Sequence, residues 1–282
     1  MISELTRQKI ELPNGVNLAY VRGGQATGAP LVFVHGTMND LRMWQPQWQA
    51  FTGQYDCIAY SRRYAYPNDN RPIASDYSAL TDAEDLGLFL DALGVKQASL
   101  IGLSYGGFAS LAFALKHPRR VASMVLVEPP MMRYADDAPD LRPTVAAFEK
   151  NHAHAAEAAF RAGDDDLGMR LLLSGIIGRE AAKISPKLVA MLMPNVEEVR
   201  AISLSDDEFP LLDKAQVAAL DIPTLLVSGA KSAPVHQALI ACLIKAMPQA
   251  QTAIIQGAGH SVPQEQPEAF NAAVAEFLDN LA

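Results

Sequence analysis

Apolar and polar positions alternate in the first segment: Ile10 and Leu12, then Val16, Leu18 and Tyr20, with Pro13-Asn14-Gly15 between them. Alternation of period two around an Asn-Gly step predicts a β-hairpin. Beyond it the pattern changes to short continuous apolar runs separated by helical spacing. Leu31–Val34 ends at His35-Gly36, and Cys57–Tyr60 follows a helical stretch from Trp44 to Phe51. From Ser78 to Leu93 apolar residues recur at Leu80, Ala83, Leu86, Phe89, Leu90 and Leu93, then stop at Gly94, which predicts a capped helix. Ala98–Ile101 reads as a strand, Gly106–Lys116 as a helix stopped before Pro118, and Val121–Val127 as another strand. The rhythm returns late: strand at Pro223–Val227, helix at Pro234–Met247, strand at Gln251–Ile255, helix at Pro267–Leu281. Strands without a polar face must be covered on both sides. The expected fold is therefore α/β, a doubly wound, mostly parallel sheet with the hairpin as an antiparallel edge.

Residues 129–221 break this rhythm, with no comparable strand. A structureless loop of that length is improbable in a compact domain. Helices are predicted instead at Pro143–Ala162 and Asp165–Ile177, with a short one begun by Ser185-Pro186. The expected division is a core of residues 1–128 and 222–282 with a helical cap, 129–221, inserted between its halves.

Composition narrows the function classes. The 282 residues carry 23 Lys+Arg against 31 Asp+Glu, a formal charge of −8, with 50% apolar and 19% charged residues. That balance suits a folded globule and disfavours nucleic acid as a partner, since phosphate needs clustered basic residues. The apolar runs are too short to span a membrane, and the amino terminus, Met1 to Lys9, has no continuous apolar stretch of a secretory leader. Cys57 and Cys242 suit a reducing compartment better than a disulfide framework. The expectation is a cytoplasmic protein that meets a small-molecule substrate, with no metal or cofactor implied. Its oligomeric state stays open, a homodimer included.

Candidate chemistry concentrates in Gly102-Leu103-Ser104-Tyr105-Gly106, directly after a predicted strand and directly before a helix. This is the context of the G-x-S-x-G nucleophile elbow, whose sharp turn demands small residues two before and two after the serine. Together with the early hairpin, His35-Gly36 after a strand, the mid-chain cap and Gly257-Ala258-Gly259-His260 after the last strand, the chain resembles the α/β-hydrolase superfamily over essentially its whole length. More narrowly it is similar to capped hydrolases with a Ser-Arg-Arg-Tyr stretch, here Ser61–Tyr64; Tyr64 and Tyr66 stand where small residues are usual and hint at a reshaped pocket rim.

The resemblance implies a triad. Ser104 is the expected nucleophile and His260 the base. The acid of most relatives follows the strand matching Thr224–Val227, where this chain has Ser232. Some members take it from the preceding strand, whose end here is Val127-Glu128, so Glu128 is expected to orient His260. Asp206, Asp207 or a bare Ser–His dyad are the weaker choices. The backbone N–H groups of Tyr105 and Thr37 are expected to form the oxyanion hole. Trp44 and Met193 are expected at the substrate, though each suits packing equally well. The implied reaction is hydrolysis of an ester or lactone of a small to medium hydrophobic substrate through an acyl-enzyme. Cofactor-free dioxygenation, C–C bond hydrolysis and a ligand-binding receptor are the alternatives. Haloalkane dehalogenation and epoxide hydrolysis are disfavoured, because in similar proteins they use an aspartate where Ser104 stands.

Overall fold

The computed structural model describes residues 7–24, 28–72 and 77–281. Residues 1–6 of the segment read above for a leader lie outside them. The strands are β1 (Gln8–Glu11), β2 (Asn17–Gly24), β3 (Leu31–Val34), β4 (Asp56–Tyr60), β5 (Ala98–Leu103), β6 (Val121–Val127), β7 (Thr224–Gly229) and β8 (Gln251–Ile255). They form one sheet in the order β1-β2-β4-β3-β5-β6-β7-β8. β1 pairs with β2, and β2 with β4, antiparallel; every later pairing is parallel. The predicted hairpin edge and parallel sheet are both present.

Burial follows from the strand period of two. Val32 and Val34 point to one apolar cluster with Leu100 and Leu126, whereas Leu31 and Phe33 point to another with Ile101 and Val127. Helices α2 (Ala79–Ala92) and α3 (Tyr105–Lys116) cover the first face, with Leu86, Phe89, Phe108 and Leu111. On the second face, α1 (Gln45–Phe51) contributes Trp48 and Phe51. The predicted stop of α2 at Gly94 is real, since that glycine adopts φ 68.

Between β6 and β7 the chain is helical: α4 (Arg142–Phe148), a π-helical turn (Glu149–Ala153), α5 (His154–Arg161), α6 (Asp165–Ile177), α7 (Pro186–Leu192), α8 (Val196–Ser203) and α9 (Lys214–Ala218). The single helix expected over Pro143–Ala162 is thus split by a π turn. Asp164 and Ser185 cap α6 and α7 by accepting from Leu167 N and Leu188 N. These helices build an apolar cluster of their own around Ala156, Phe160, Met169 and Val199. The end of the segment does not share it: Leu212, Val217 and Leu220 pack with the sheet. After β7 comes α10 (Pro234–Ala246), then α11 (Val262–Glu265) and α12 (Pro267–Asp279) follow β8. Val274 and Phe277 of α12 complete the second face. Among the described residues, no helix is long and apolar enough to cross a membrane.

Candidate active site

β5 ends at Leu103 and α3 begins at Tyr105, so Ser104 alone makes the turn, at φ 51 and ψ −120. A non-glycine residue there is strained. Ser104 N donates to Val127 O at 2.7 Å, and Ser104 O accepts from Phe108 N at 3.0 Å, so strand and helix together hold it. The small neighbours are obligatory. A Cβ on Gly106 would fall 2.2 Å from Val34 O, and one on Gly102 would fall 2.6 Å from Gly106 O.

Glu128 directly follows β6, with its own positive φ of 43. Its carboxylate is buried. One oxygen, Oε2, accepts from His260 Nδ1 at 2.6 Å; the other, Oε1, accepts from Ser232 Oγ at 2.6 Å and Gly229 N at 2.9 Å. A buried carboxylate needs such donors to stay charged. The bond also fixes the imidazole: Nδ1 carries the proton and Nε2 is left as an acceptor. Ser232, at the position where most relatives carry the acid, therefore anchors Glu128. Asp206 and Asp207 stand elsewhere, in a cavity wall where Asp207 pairs with Arg133 at 3.0 Å.

His236, on α10, was not distinguished by its sequence context. Its ring stacks on that of His260, with centroids 3.7 Å apart and planes 14° from parallel. Nε2 donates to Ile176 O at 2.9 Å. Burial first, then the neighbouring His260, holds its pKa well below the usual imidazole value. Donor atoms of Glu128, His236 and His260 lie within 4.8 Å of one another, near enough to consider a metal. Of the ring nitrogens, His260 Nδ1 is already bonded to Glu128 and His236 Nε2 to Ile176.

The loop after β3 lies against the elbow: a Cβ on Gly36 would come 3.3 Å from Ser104 Cβ. Thr37 N–H donates to no group among the described residues. Tyr105, as the first residue of α3, has an N–H without an intrahelical acceptor.

Thr37 and Ser104 line two cavities at once. One, of about 420 Å³, has a charged wall that includes Glu157, Arg161, Asp207 and Glu208, with His154 and His236 beside them. Desolvation and the charges of Asp207, Glu157 and Glu149 push the Glu208 carboxyl up to about 8. The other, of about 550 Å³, contains His260 and an apolar wall of Leu173, Ile177, Met191 and Leu192.

Two expected substrate contacts are corrected. Trp44 lies in neither cavity. Asp40 caps the short 3-10 turn Leu41–Trp44 and the indole swings inward, fully buried, with its ring 5.3 Å from Phe33. Met193 begins another 3-10 turn after α7 and packs on the apolar cluster of these inserted helices, leaving Met191 and Leu192 in the cavity wall. The expected rim tyrosines also point elsewhere. Tyr64 packs edge-on against Tyr77 at 4.7 Å, and Arg42 covers Tyr66 at 4.3 Å.

The sequence profile of the alpha/beta hydrolase fold matches residues 29–267. The chain belongs to this family. Among its relatives, carboxylesterase YbfK of Bacillus subtilis (strain 168) is 27% identical over 268 residues, covering 92% of this chain and 83% of that one. The crystal structure of that carboxylesterase, CesB (YbfK), superposes with a TM-score of 0.72 at 24% identity, covering 98% of this chain and 93% of the other. The enol-lactonase from Burkholderia xenovorans LB400 gives a TM-score of 0.75 at 20% identity, covering 96% and 100%. These two likenesses speak to the fold.

Proposed function

We propose that this α/β-hydrolase cleaves an ester or lactone through a Ser104 acyl-enzyme. The observation that carries the reading is the 2.6 Å Glu128–His260 hydrogen bond, with His260 and Ser104 opening on one cavity. Glu128 keeps the His260 proton on Nδ1, so Nε2 is free to take the Ser104 proton as Oγ attacks the carbonyl carbon. The negative charge moves to the former carbonyl oxygen, where the N–H groups of Thr37 and Tyr105 receive it. Collapse expels the alkoxide, protonated by His260 Nε2-H, and water repeats the sequence to release the acid.

Two cavities meeting at Ser104 suggest a substrate with two unlike arms. His260 must reach the departing oxygen and lines only the second of them, where Arg179, Lys231 and Glu265 share the wall with Leu173, Ile177, Met191 and Leu192. The leaving alcohol is therefore assigned there, and the acyl arm to the first. The helices between β6 and about Leu212 act as the cap that closes both cavities, and the partner is this small molecule.

The test is turnover of chromogenic short-chain esters by wild type and Ser104→Ala. Hydrolysis that falls to background in the variant supports the reading. Equal turnover by a folded Ser104→Ala overturns it.

A further inference from the structure

Met38 follows Thr37 and has φ 65, a left-handed conformation that strains a non-glycine residue. Its side chain is buried in the cap's apolar cluster, not in the sheet's. Two buried residues at the head of the cap's α8 hold its backbone. Glu198 accepts from Met38 N at 3.0 Å; Asn195 Nδ2 donates to Met38 O at 3.3 Å and to Asp40 Oδ2 at 3.0 Å. Glu198 also pairs with Arg62, and both are fully buried.

Arg62 extends the hold to the rest of the oxyanion region. Its Nε donates to His35 O at 3.0 Å, its Nη1 pairs with Asp82 at 2.8 Å, and its guanidinium covers the Tyr105 ring at 4.1 Å. Its backbone N donates to His35 Nε2 at 2.8 Å, so His35 Nδ1 carries the proton given to Gly36 O at 2.9 Å. The Gly36 carbonyl and the Thr37 N–H belong to one planar peptide and point in opposite directions. Fixing that carbonyl therefore aims the N–H, and the next peptide, Thr37–Met38, is pinned by Glu198. A buried ion pair stabilises a fold little better than apolar packing of the same volume. Here it sets geometry.

We propose that Glu198 and Asn195 are positioning residues of the oxyanion hole, so that the hole takes its working shape only with the cap's α8 docked on the Gly36–Asn39 loop. This rests on the acyl-transfer reading above. The experiment compares wild type, Glu198→Gln and Asn195→Ala in two ways. Amide hydrogen exchange of the Gly36–Asn39 loop reads the clamp without catalysis: tenfold or faster exchange is expected in each variant, with β3 and β5 unchanged. Steady-state hydrolysis of an oxo-ester and its thiono analogue reads the consequence. Misaiming a donor is expected to lower kcat for the oxo-ester about tenfold or more, to leave KM within threefold, and to shrink the oxo-over-thiono preference. General loosening of the fold would not shrink that preference. Loop exchange that stays at the wild-type rate in folded Glu198→Gln overturns the proposal, as does an unchanged kcat and oxo-over-thiono preference. If that variant does not fold, Asn195→Ala decides by the same criteria. Wild type that protects the loop but hydrolyses no ester contradicts the functional reading and leaves the clamp itself supported.

Discussion

Glu128 is held by more donors than the orientation of one imidazole requires. His260, Ser232 and Gly229 all reach it, so its charge and its direction are set separately. Glu128→Gln keeps the shape and removes the charge; kcat is expected to fall about 10³-fold or more, with the melting temperature close to wild type. Ser232→Ala removes one donor to a charged acceptor, worth about 1.5–3 kcal/mol, and the expected loss in kcat is about tenfold. Ser232→Asp in the wild-type background places a second carboxylate against Glu128 and should lower both activity and stability. Activity at or above wild type would contradict the geometry. Trp44→Phe tests the correction made above. It keeps the packing on Phe33, so kcat/KM is expected to stay within about twofold, whereas a substrate contact would show as a rise in KM.

Ser104 was legible because strand, turn and helix meet at one residue. Glu128 was legible because a charged residue closes the apolar run Val125–Val127 while Ser232 leaves the usual acid position without a carboxylate. Trp44 and Met193 were not, since neither spacing nor composition tells which way a 3-10 turn swings a side chain. His236, Asn195 and Glu198 owe their places to contacts across the fold, Glu198 with Met38 and Arg62, His236 with Ile176. No local pattern in the sequence carries such pairings.

At the scale of elements, the parallel sheet, the hairpin edge and the late strand–helix pairs all follow from hydrophobic period. The π turn at Glu149–Ala153 does not. The alanine-rich stretch around it has helix propensity throughout and reads as continuous. The turn shows only in packing: a Cβ on Gly175 of α6 would lie 2.5 Å from His152 Cγ, so α6 runs hard against it. Close approach also governs the elbow. Gly106→Ala would drive a Cβ into the carbonyls of Val34 and His35, at 2.2 and 2.5 Å. Backbone cannot yield as a side chain can, and the expected cost is about 2 kcal/mol or more, measured as a lower denaturant midpoint. An unchanged midpoint would mean that β3 and α3 are not in contact as described.

For the whole molecule, the buried histidines and the buried glutamates pull stability in opposite senses on acidification. Burial, and then the Arg62 charge, drive His35 down to about 3, and burial and His260 hold His236 well below the ordinary value. In the unfolded chain both titrate near 6.5. Unfolding therefore takes up protons below that pH. The stability of keeping both rings neutral is complete above about pH 6.5 and is lost as the pH falls toward 3, by up to about 1.4 kcal/mol per pH unit for each histidine. Glu208 and Glu198, held up to about 8 and about 7, keep their protons in the folded chain and oppose this over the same range, so the rings are read directly: their NMR signals should show both neutral from pH 7 to 5, and a ring that protonates there would contradict the buried neutral state.

Both proposed roles of the cap, closing the cavities and shaping the oxyanion loop, presuppose that Ser104 is an activated nucleophile. The most direct test is intact mass after exposure to a fluorophosphonate, for wild type and Ser104→Ala. The expected result is one covalent adduct on wild type and none on the variant. A folded wild type that takes up no adduct, or a Ser104→Ala protein labelled equally well, would contradict the acyl-enzyme mechanism at its first step.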